Sequence, residues 1–489
     1  MRPSDRLGCI LAALALLLPA IVHAAGFEVG SNTALANARG GTGIASTTDP
    51  SATTFNPGRL AFARGLQVLI GSNAVDFNLR YQRNPLVRPV DVVEYDEVRN
   101  VSGPFPVPYL AASWDLGVEN LAIGVSVSGP HAYGNRCYSE LVEGECVTDF
   151  SNAARHMIVG TKLLQIYFLG TASYAFDLGP GKLGVGLSGG PGWQNNQLTL
   201  VVDQINLNVG EPYTENPDFQ ARFTGRKLQD IKPFLIGGLA WEGDNGLRAG
   251  AAYNIGMNWE GEGVLDLGLP DTVSGFASVT GDDLVLKTKQ AHRLTAGVGY
   301  AHGTHPGAED KPLFDAELNF VWEDWSRVQS FEVRSESSVD FDGLAELPIN
   351  PVLQPKGYQD TYAVRLGGSW GLAKYLTVHA GGFVETPAQK LELTNADFVS
   401  WLRYSGSTGV TVHAGSLLDI TLSYAYIASP DREVTDGEVY SSVPLSTCVY
   451  PDYDQPSCMP SGTPPGNPQN EGSWHSHFHV AGLNVVGKF

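Results

Sequence analysis

The chain has 489 residues, with Asp and Glu at 51 against Lys and Arg at 31, for a formal net charge of −20. That balance argues against a nucleic-acid partner, which needs a basic footprint. With 57 glycines and 10% aromatic residues, the composition suits many Gly-kinked strands with aromatic ends.

Residues 1–24 read as a secretory signal: Arg2 and Arg6 give the positive start, Leu7 to Val22 the apolar core, and Val22-His23-Ala24 a cleavage site. The apolar run is short for a transmembrane helix, which needs roughly 20 residues. Cys9 lacks a lipobox, which argues against a lipid anchor. No later apolar run is long enough to span as a helix, so the mature chain is either soluble after export or embedded as strands. Ala25 to Ala63 follows, rich in Gly, Ala, Ser and Thr. It is too small and polar to build a core, so something must enclose it. At its end Pro57 presets φ and Asn56 can bond its own backbone, which predicts a tight turn before the first strand.

From Arg64 onward, alternating apolar and polar residues predict strands. In Leu418 to Ile427, Leu422, Tyr424 and Tyr426 share one face and Thr421, Ser423 and Ala425 the other. Tyr362 to Trp370 repeats this pattern. Leu247 to Trp259 is read as one strand, with Tyr253, Ile255, Met257 and Trp259 on its apolar side. Fourteen such runs are expected, near 66–77, 106–116, 121–130, 163–177, 183–205, 229–243, 247–259, 284–301, 313–334, 358–371, 375–387, 399–413, 418–429 and 474–489. An even count, aromatic strand ends and alternating short and long connections fit an all-β fold, a 14-stranded antiparallel transmembrane barrel. Short turns fall at 117–120, 178–182, 244–246, 372–374 and 415–417 and are assigned to the periplasm.

Cys137, Cys146, Cys448 and Cys458 remain after cleavage, in two close pairs within long outer loops. In an exported protein they are expected as disulfides 137–146 and 448–458. No catalytic constellation is found: the Gly-rich runs at 40–43 and 189–192 lack the Lys-Ser/Thr of a phosphate loop, and no Gly-x-Ser-x-Gly elbow occurs. No enzyme, cofactor or metal is expected. His475, His477 and His479 share the parity of Ala481 and Leu483, which predicts that they point outward among lipopolysaccharide headgroups. Inward positions are mostly small in several strands (Ala122, Gly124, Ser126 and Ser128; Ala363, Arg365, Gly367 and Ser369), and the last strand adds Phe478, Val480 and Val486, which predicts a lightly charged lumen. Such a lumen suits an acyl chain or aromatic hydrocarbon better than ions or sugars.

Several stretches resemble the FadL/TodX family of outer-membrane transporters for long-chain fatty acids and hydrophobic compounds. They are Ala25-Gly26-Phe27, Arg39-Gly40-Gly41, Thr48-Asp49-Pro50-Ser51-Ala52, Asn56-Pro57-Gly58 and Trp322-Glu323-Asp324-Trp325-Ser326. Gly58 stands where the family usually has Ala, and Pro50 interrupts the acidic stretch. Phe489 resembles the terminal aromatic that barrel assembly machinery reads. The resemblance implies a plug at 25–64 inside a barrel at 65–489, with Phe27 near the ligand and Asn56 and Pro57 in gating. It implies passive uptake by a monomer and a sideways exit into outer-membrane lipid at a kink in the third strand, here Gly129 and Pro130. A general porin, or a surface receptor or adhesin barrel, is the alternative.

Overall fold

The computed structural model describes residues 32–489 except 88–90, 130–133, 148–149, 204–214, 216–219, 308–310, 350–351 and 441–467. The signal region, Phe27, Pro130, Cys448 and Cys458 lie outside the described residues. Fourteen wall strands follow one another around a closed antiparallel barrel. They are β1 (Gln67–Arg83), β2 (Phe105–Trp114), β3 (Leu121–Ser128), β4 (Gly160–Asp177), β5 (Gly181–Asp203), β6 (Gln220–Gly243) and β7 (Leu247–Asn254 and Asn258–Gly268). Then come β8 (Asp283–Lys289 and Arg293–His302), β9 (Phe314–Glu323 and Ser330–Arg334), β10 (Val352–Pro355 and Thr361–Ala373) and β11 (Leu376–Glu385). β12 (Arg403–Ala414), β13 (Leu418–Ala428) and β14 (Gly472–Lys488) complete the wall. Closure is full length, from Gln67 opposite Lys488 to Arg83 opposite Gly472. It pairs the first strand with the last, as spanning a bilayer with strands requires.

The predicted faces hold through most of the wall. Leu366, Leu422, Leu483, Ile70 and Val125 are exposed, whereas Arg365, Ser423, Asn484, Leu69 and Ser126 are buried. Exposed aromatics gather at both ends of this apolar band: Trp114, Phe176, Trp370 and Phe489 near the short turns, and Phe168, Tyr253, Tyr362 and Tyr404 farther up. These are the paired girdles of a lipid-facing barrel.

One sector departs from the prediction. β7 to β10, each expected as a single run, are interrupted at neighbouring positions, and the ladder resumes beyond the break with shifted facing. Ile255 faces out, but Met257 and Trp259, assigned to the same face, are buried. The cause is local: a Cβ on Gly256 would stand 2.4 Å from the Gln290 carbonyl oxygen, so a glycine lets the two breaks approach. Parity cannot carry across a segment that leaves the pleat.

Two buried segments pack against inward-facing residues of the wall. Asn32 to Ala63 lies against inward-facing side chains near the short-turn end. It contains α1 (Ala34–Ala38), α2 (Ala52–Phe55) and a 3₁₀ turn, Pro57–Phe62. Near the other end, the connection from β11 to β12 folds inward, burying Leu393, Ala396, Val399 and Trp401. There Asp397 pairs with Lys356, both fully enclosed, and its carbonyl accepts from Arg136 Nη1 at 2.7 Å. These residues join a cluster with Val75, Phe77, Tyr81, Trp474 and Phe478.

Candidate functional site

The N-terminal segment fits its enclosure through paired small residues. Thr33 Oγ1 accepts from Ala36 N at 3.3 Å, capping α1. A Cβ on Gly409 would stand 2.5 Å from Ala38 Cβ, and one on Gly40, whose φ is +64°, would stand 2.3 Å from Gly382 N. Small residues are therefore required on both sides of the contact. Asn56 and Pro57 sit at the same kind of junction. Asn56 Nδ2 donates to the carbonyls of Ile44 at 2.7 Å and Leu239 at 2.9 Å, and its Oδ1 accepts from Gly58 N at 3.0 Å. The expected local turn is there, and the same side chain also fastens the segment to β6. A Cβ on Gly186 of β5 would lie 2.3 Å from the Pro57 carbonyl.

The lumen is not lightly charged where β6, β7 and β9 face this segment, which corrects the expectation from β3 and β10. Arg39 pairs with Asp315, and Arg248 bridges Asp315 at 3.1 Å and Glu242 at 3.0 Å. Glu242 holds Arg59 at 2.9 Å. Glu317 Oε1 accepts from Gly43 N at 2.9 Å and Ala45 N at 3.1 Å. The prediction failed because it sampled strands whose inward residues are mostly small or apolar, with Arg365 the one charge among them. These charges neutralise one another across the contact, as buried ions must. Their signal was present in the sequence only as isolated acids at inward parity.

A gap in the wall lies on the other side. β3 pairs with β2 only over Tyr109–Trp114 and with β4 only over Tyr167–Tyr174. Above Ser128, the edge of β2 over Phe105–Pro108 and the edge of β4 over Leu163–Ile166 have no strand paired between them among the described residues. Pro106 and Pro108 have no N–H to offer a partner there. The opening forms a cavity of about 590 Å³ with an apolar lining that includes Phe105, Val107, Leu110, Val127, Leu163 and Ile166. Gly129 lies on its lower rim, where the resemblance had placed an exit.

Asn32 reaches this rim from inside, its Nδ2 donating to the Gly129 carbonyl at 3.1 Å. Asn32 and Ser128 also line an interior cavity of about 60 Å³ with Ile44, Phe55, Tyr167 and Phe234. Ser128 and Gly129 thus stand between the interior cavity and the wall opening. A further cavity of about 40 Å³, lined by Ile158, Leu198, Trp259, Leu286, Phe331 and Phe398, shares Leu163 and Gln165 with the opening. The opening thus adjoins the interior cavity at Ser128 and the smaller cavity at Leu163 and Gln165. Asn32 and the inward loop were not singled out from sequence, because a lone Asn and a loop of ordinary composition carry no pattern.

The predicted site residues therefore separate. Gly129 borders the opening, whereas Asn56 and Pro57 fasten the segment to β6 and β5. Cys137 and Cys146 form a disulfide with Cα atoms 5.5 Å apart, on the long-loop side. His475 stands on the outer face, paired with Asp431 at 2.7 Å. Above the barrel, Glu215 accepts from Arg83 at 2.6 and 3.0 Å, Arg155 at 2.7 Å, Gln469 at 2.8 Å and Tyr95 at 3.2 Å. Burial pushes the Glu215 carboxyl up, but the Arg83 and Arg155 guanidiniums overcome it and bring its pKa to about 2. Burial and the Arg155 charge hold neighbouring His156 at about 3.

Comparison with known proteins agrees with this geometry. The model of the outer membrane protein transport protein family (OMPP1/FadL/TodX) matches residues 15–450. The structure of a Pseudomonas aeruginosa FadL homologue superposes with a TM-score of 0.72 at 15% identity, covering 95% of this chain and 100% of that one. The toluene transporter TodX of P. putida gives 0.60 at 15% identity, covering 94% and 99%. CymD, a monoaromatic hydrocarbon channel, gives 0.58 at 16%, covering 94% and 98%. No curated protein sequence matches the chain.

Proposed function

This chain belongs to the OMPP1/FadL/TodX family of outer-membrane transport proteins, and we propose that it takes up long-chain fatty acids or similar hydrophobic molecules passively, gated by the N-terminal segment and released sideways through the wall. The family's members are outer-membrane β-barrels of Gram-negative bacteria that carry hydrophobic compounds. The observation that carries the finer reading is the opening above β3, largely apolar in its lining and separated from the interior cavity by Ser128, which borders both.

Physical chemistry favours this route. Each CH₂ moved from an apolar phase into water costs about 0.8 kcal/mol, so a long acyl chain entering the periplasm directly meets a steep barrier. A lateral exit hands the chain from one apolar environment to another. The segment from Asn32 to Ala63 and the inward loop obstruct the axial path, while Asn32 on Gly129 ties the segment to the exit. In this reading Asn32 is the gating contact, and Asn56 and Pro57 hold the rest of the plug still while its N-terminal end moves. A ligand that binds the displaced arrangement better shifts the population toward opening. Mass spectrometry of lipid co-purified with the intact barrel, together with bilayer conductance, tests the proposal. Fatty acids or hydrocarbons and a closed ionic baseline are expected; a continuous ionic current would favour a porin.

A further inference from the structure

We infer that the rim of the wall opening is a headgroup cradle for a carboxylate-bearing amphiphile, so that long-chain acids are favoured over neutral hydrocarbons of equal length. The inference rests on the transport reading above and narrows it to a substrate class.

Three donors from three successive strands converge on one carboxylate beside the opening. Lys162 Nζ of β4 donates to Glu145 Oε1 at 2.5 Å, and Gln197 Nε2 of β5 donates to Oε2 at 2.5 Å. Arg226 Nη1 of β6 reaches the same Oε2 at 3.3 Å. All three also line the opening, as does Lys227. Lys227 stands at an irregularity in β6 with φ +54°, and among the described residues no carboxylate pairs with it. Below this polar rim lies the apolar floor of Phe105, Val107, Leu110, Val127, Leu163 and Ile166. A cationic, amide-bearing edge over an apolar floor has the polarity of a fatty acid turned inside out.

Glu145 behaves as a stand-in for such a headgroup. It belongs to no wall strand; it is carried on the hairpin Glu140–Val142 and Glu145–Val147, beside the Cys137–Cys146 disulfide. Its hydrogen bonds to Lys162 and Gln197 hold its carboxyl below the usual carboxylate range. The contact is exchangeable, because the Glu145, Lys162 and Arg226 side chains retain 39%, 34% and 41% of their exposure. Ion pairs this accessible to water are weak, so a free carboxylate can compete. The rim carries Lys162, Arg226 and Lys227 against Glu145 and Asp266, three positive to two negative. With Glu145 displaced the balance is three to one, which an arriving anion restores to three to two. The apolar floor then seats the chain while the headgroup stays in the polar rim.

The test compares uptake of labelled palmitic acid and of hexadecanol, its neutral alcohol, by cells producing the full-length chain. Lys162→Met with Arg226→Met should lower palmitate uptake about tenfold, the scale of losing charge-assisted hydrogen bonds, and leave hexadecanol unchanged. Glu145→Gln should raise palmitate uptake at low concentration and again leave hexadecanol alone. Hexadecanol serves as the internal control for folding and insertion. Equal loss of both compounds, or no loss of either, overturns the cradle while leaving transport standing. If the double variant instead loses co-purifying lipopolysaccharide at unchanged palmitate uptake, the cradle holds a resident lipid and the inference is wrong. Wild-type protein that carries neither compound overturns the transport reading and this inference with it.

Discussion

Replacing Asn56 separates the attachment of the N-terminal segment from the integrity of the barrel. Its side chain is fully buried and makes three hydrogen bonds, to Ile44 O, Leu239 O and Gly58 N at 2.7, 2.9 and 3.0 Å. Asn56→Ala removes all three partners at once. With each buried group left unpaired costing about 1–3 kcal/mol and some relaxation, the attachment weakens by about 3–5 kcal/mol. None of these bonds belongs to the wall ladder, so the cost falls on the segment. At about 1.4 kcal/mol per tenfold, a loss of 3 kcal/mol raises the detached population roughly a hundredfold. Asn56→Asp should be worse, because it aims a second carboxylate oxygen at two carbonyls in a buried site. Single-channel recording in planar bilayers should find rare openings in wild type, frequent ones in the Ala variant and near-continuous ones in the Asp variant. All three should keep the heat-resistant mobility of a folded barrel. A quiet Ala variant, closed like wild type, would refute the idea that this segment obstructs the lumen.

Arg39→Met leaves Asp315 with Arg248 alone and removes a buried ion pair; we expect a loss of about 3–5 kcal/mol in segment attachment, read as increased cleavage of the N-terminal segment by a periplasmic-side protease. Thiol labelling of unreduced protein should leave Cys137 and Cys146 unmodified, and the same result is expected for Cys448 and Cys458; labelling of the latter pair would remove the second predicted disulfide. The loop contacts around Glu215 should weaken in acid. Both folded-state pKa values, about 2 for Glu215 and about 3 for His156, lie below the ordinary 4.5 and 6.5, so their stabilisation is full above the ordinary values and is lost as pH falls. Proteolysis of the outer loops should therefore rise in two overlapping steps, one beginning below pH 6.5 and one below 4.5, and Glu215→Gln should abolish the second.

The wall was legible because strand periodicity is local. Residues such as Leu422 and Ser423 declare their faces from their neighbours alone, so all fourteen strands were found, although β1, β6 and β7 extend six to nine residues farther toward the long loops than expected. The breaks in β7 to β10 were not, because Ile255-Gly256-Met257 keeps its alternation in sequence while the chain leaves the sheet in space. The N-terminal segment announced itself through composition, and its small residues do meet glycines in the wall. The charged contact of Arg39 and Arg59 with Asp315 and Glu242 joins positions far apart in the chain, where no spacing rule reaches. Gly129 was anticipated from a proline that follows a run of small residues. The flanking prolines of β2, which leave its edge unpaired, were not.

Lateral release requires that cargo leave through the gap above β3. A Cβ on Gly129 would stand 3.2 Å from the Gln165 carbonyl oxygen and 3.8 Å from Val107 Cγ1, so a valine there projects into the opening with only slight adjustment. Gly129→Val with Pro130→Thr restores a β-branched residue and a backbone donor where the strand stops. Uptake of a labelled long-chain fatty acid by cells carrying this double variant is the direct measurement. A heat-resistant barrel with uptake reduced at least tenfold is expected; wild-type uptake by a correctly inserted variant would contradict lateral release at this gap.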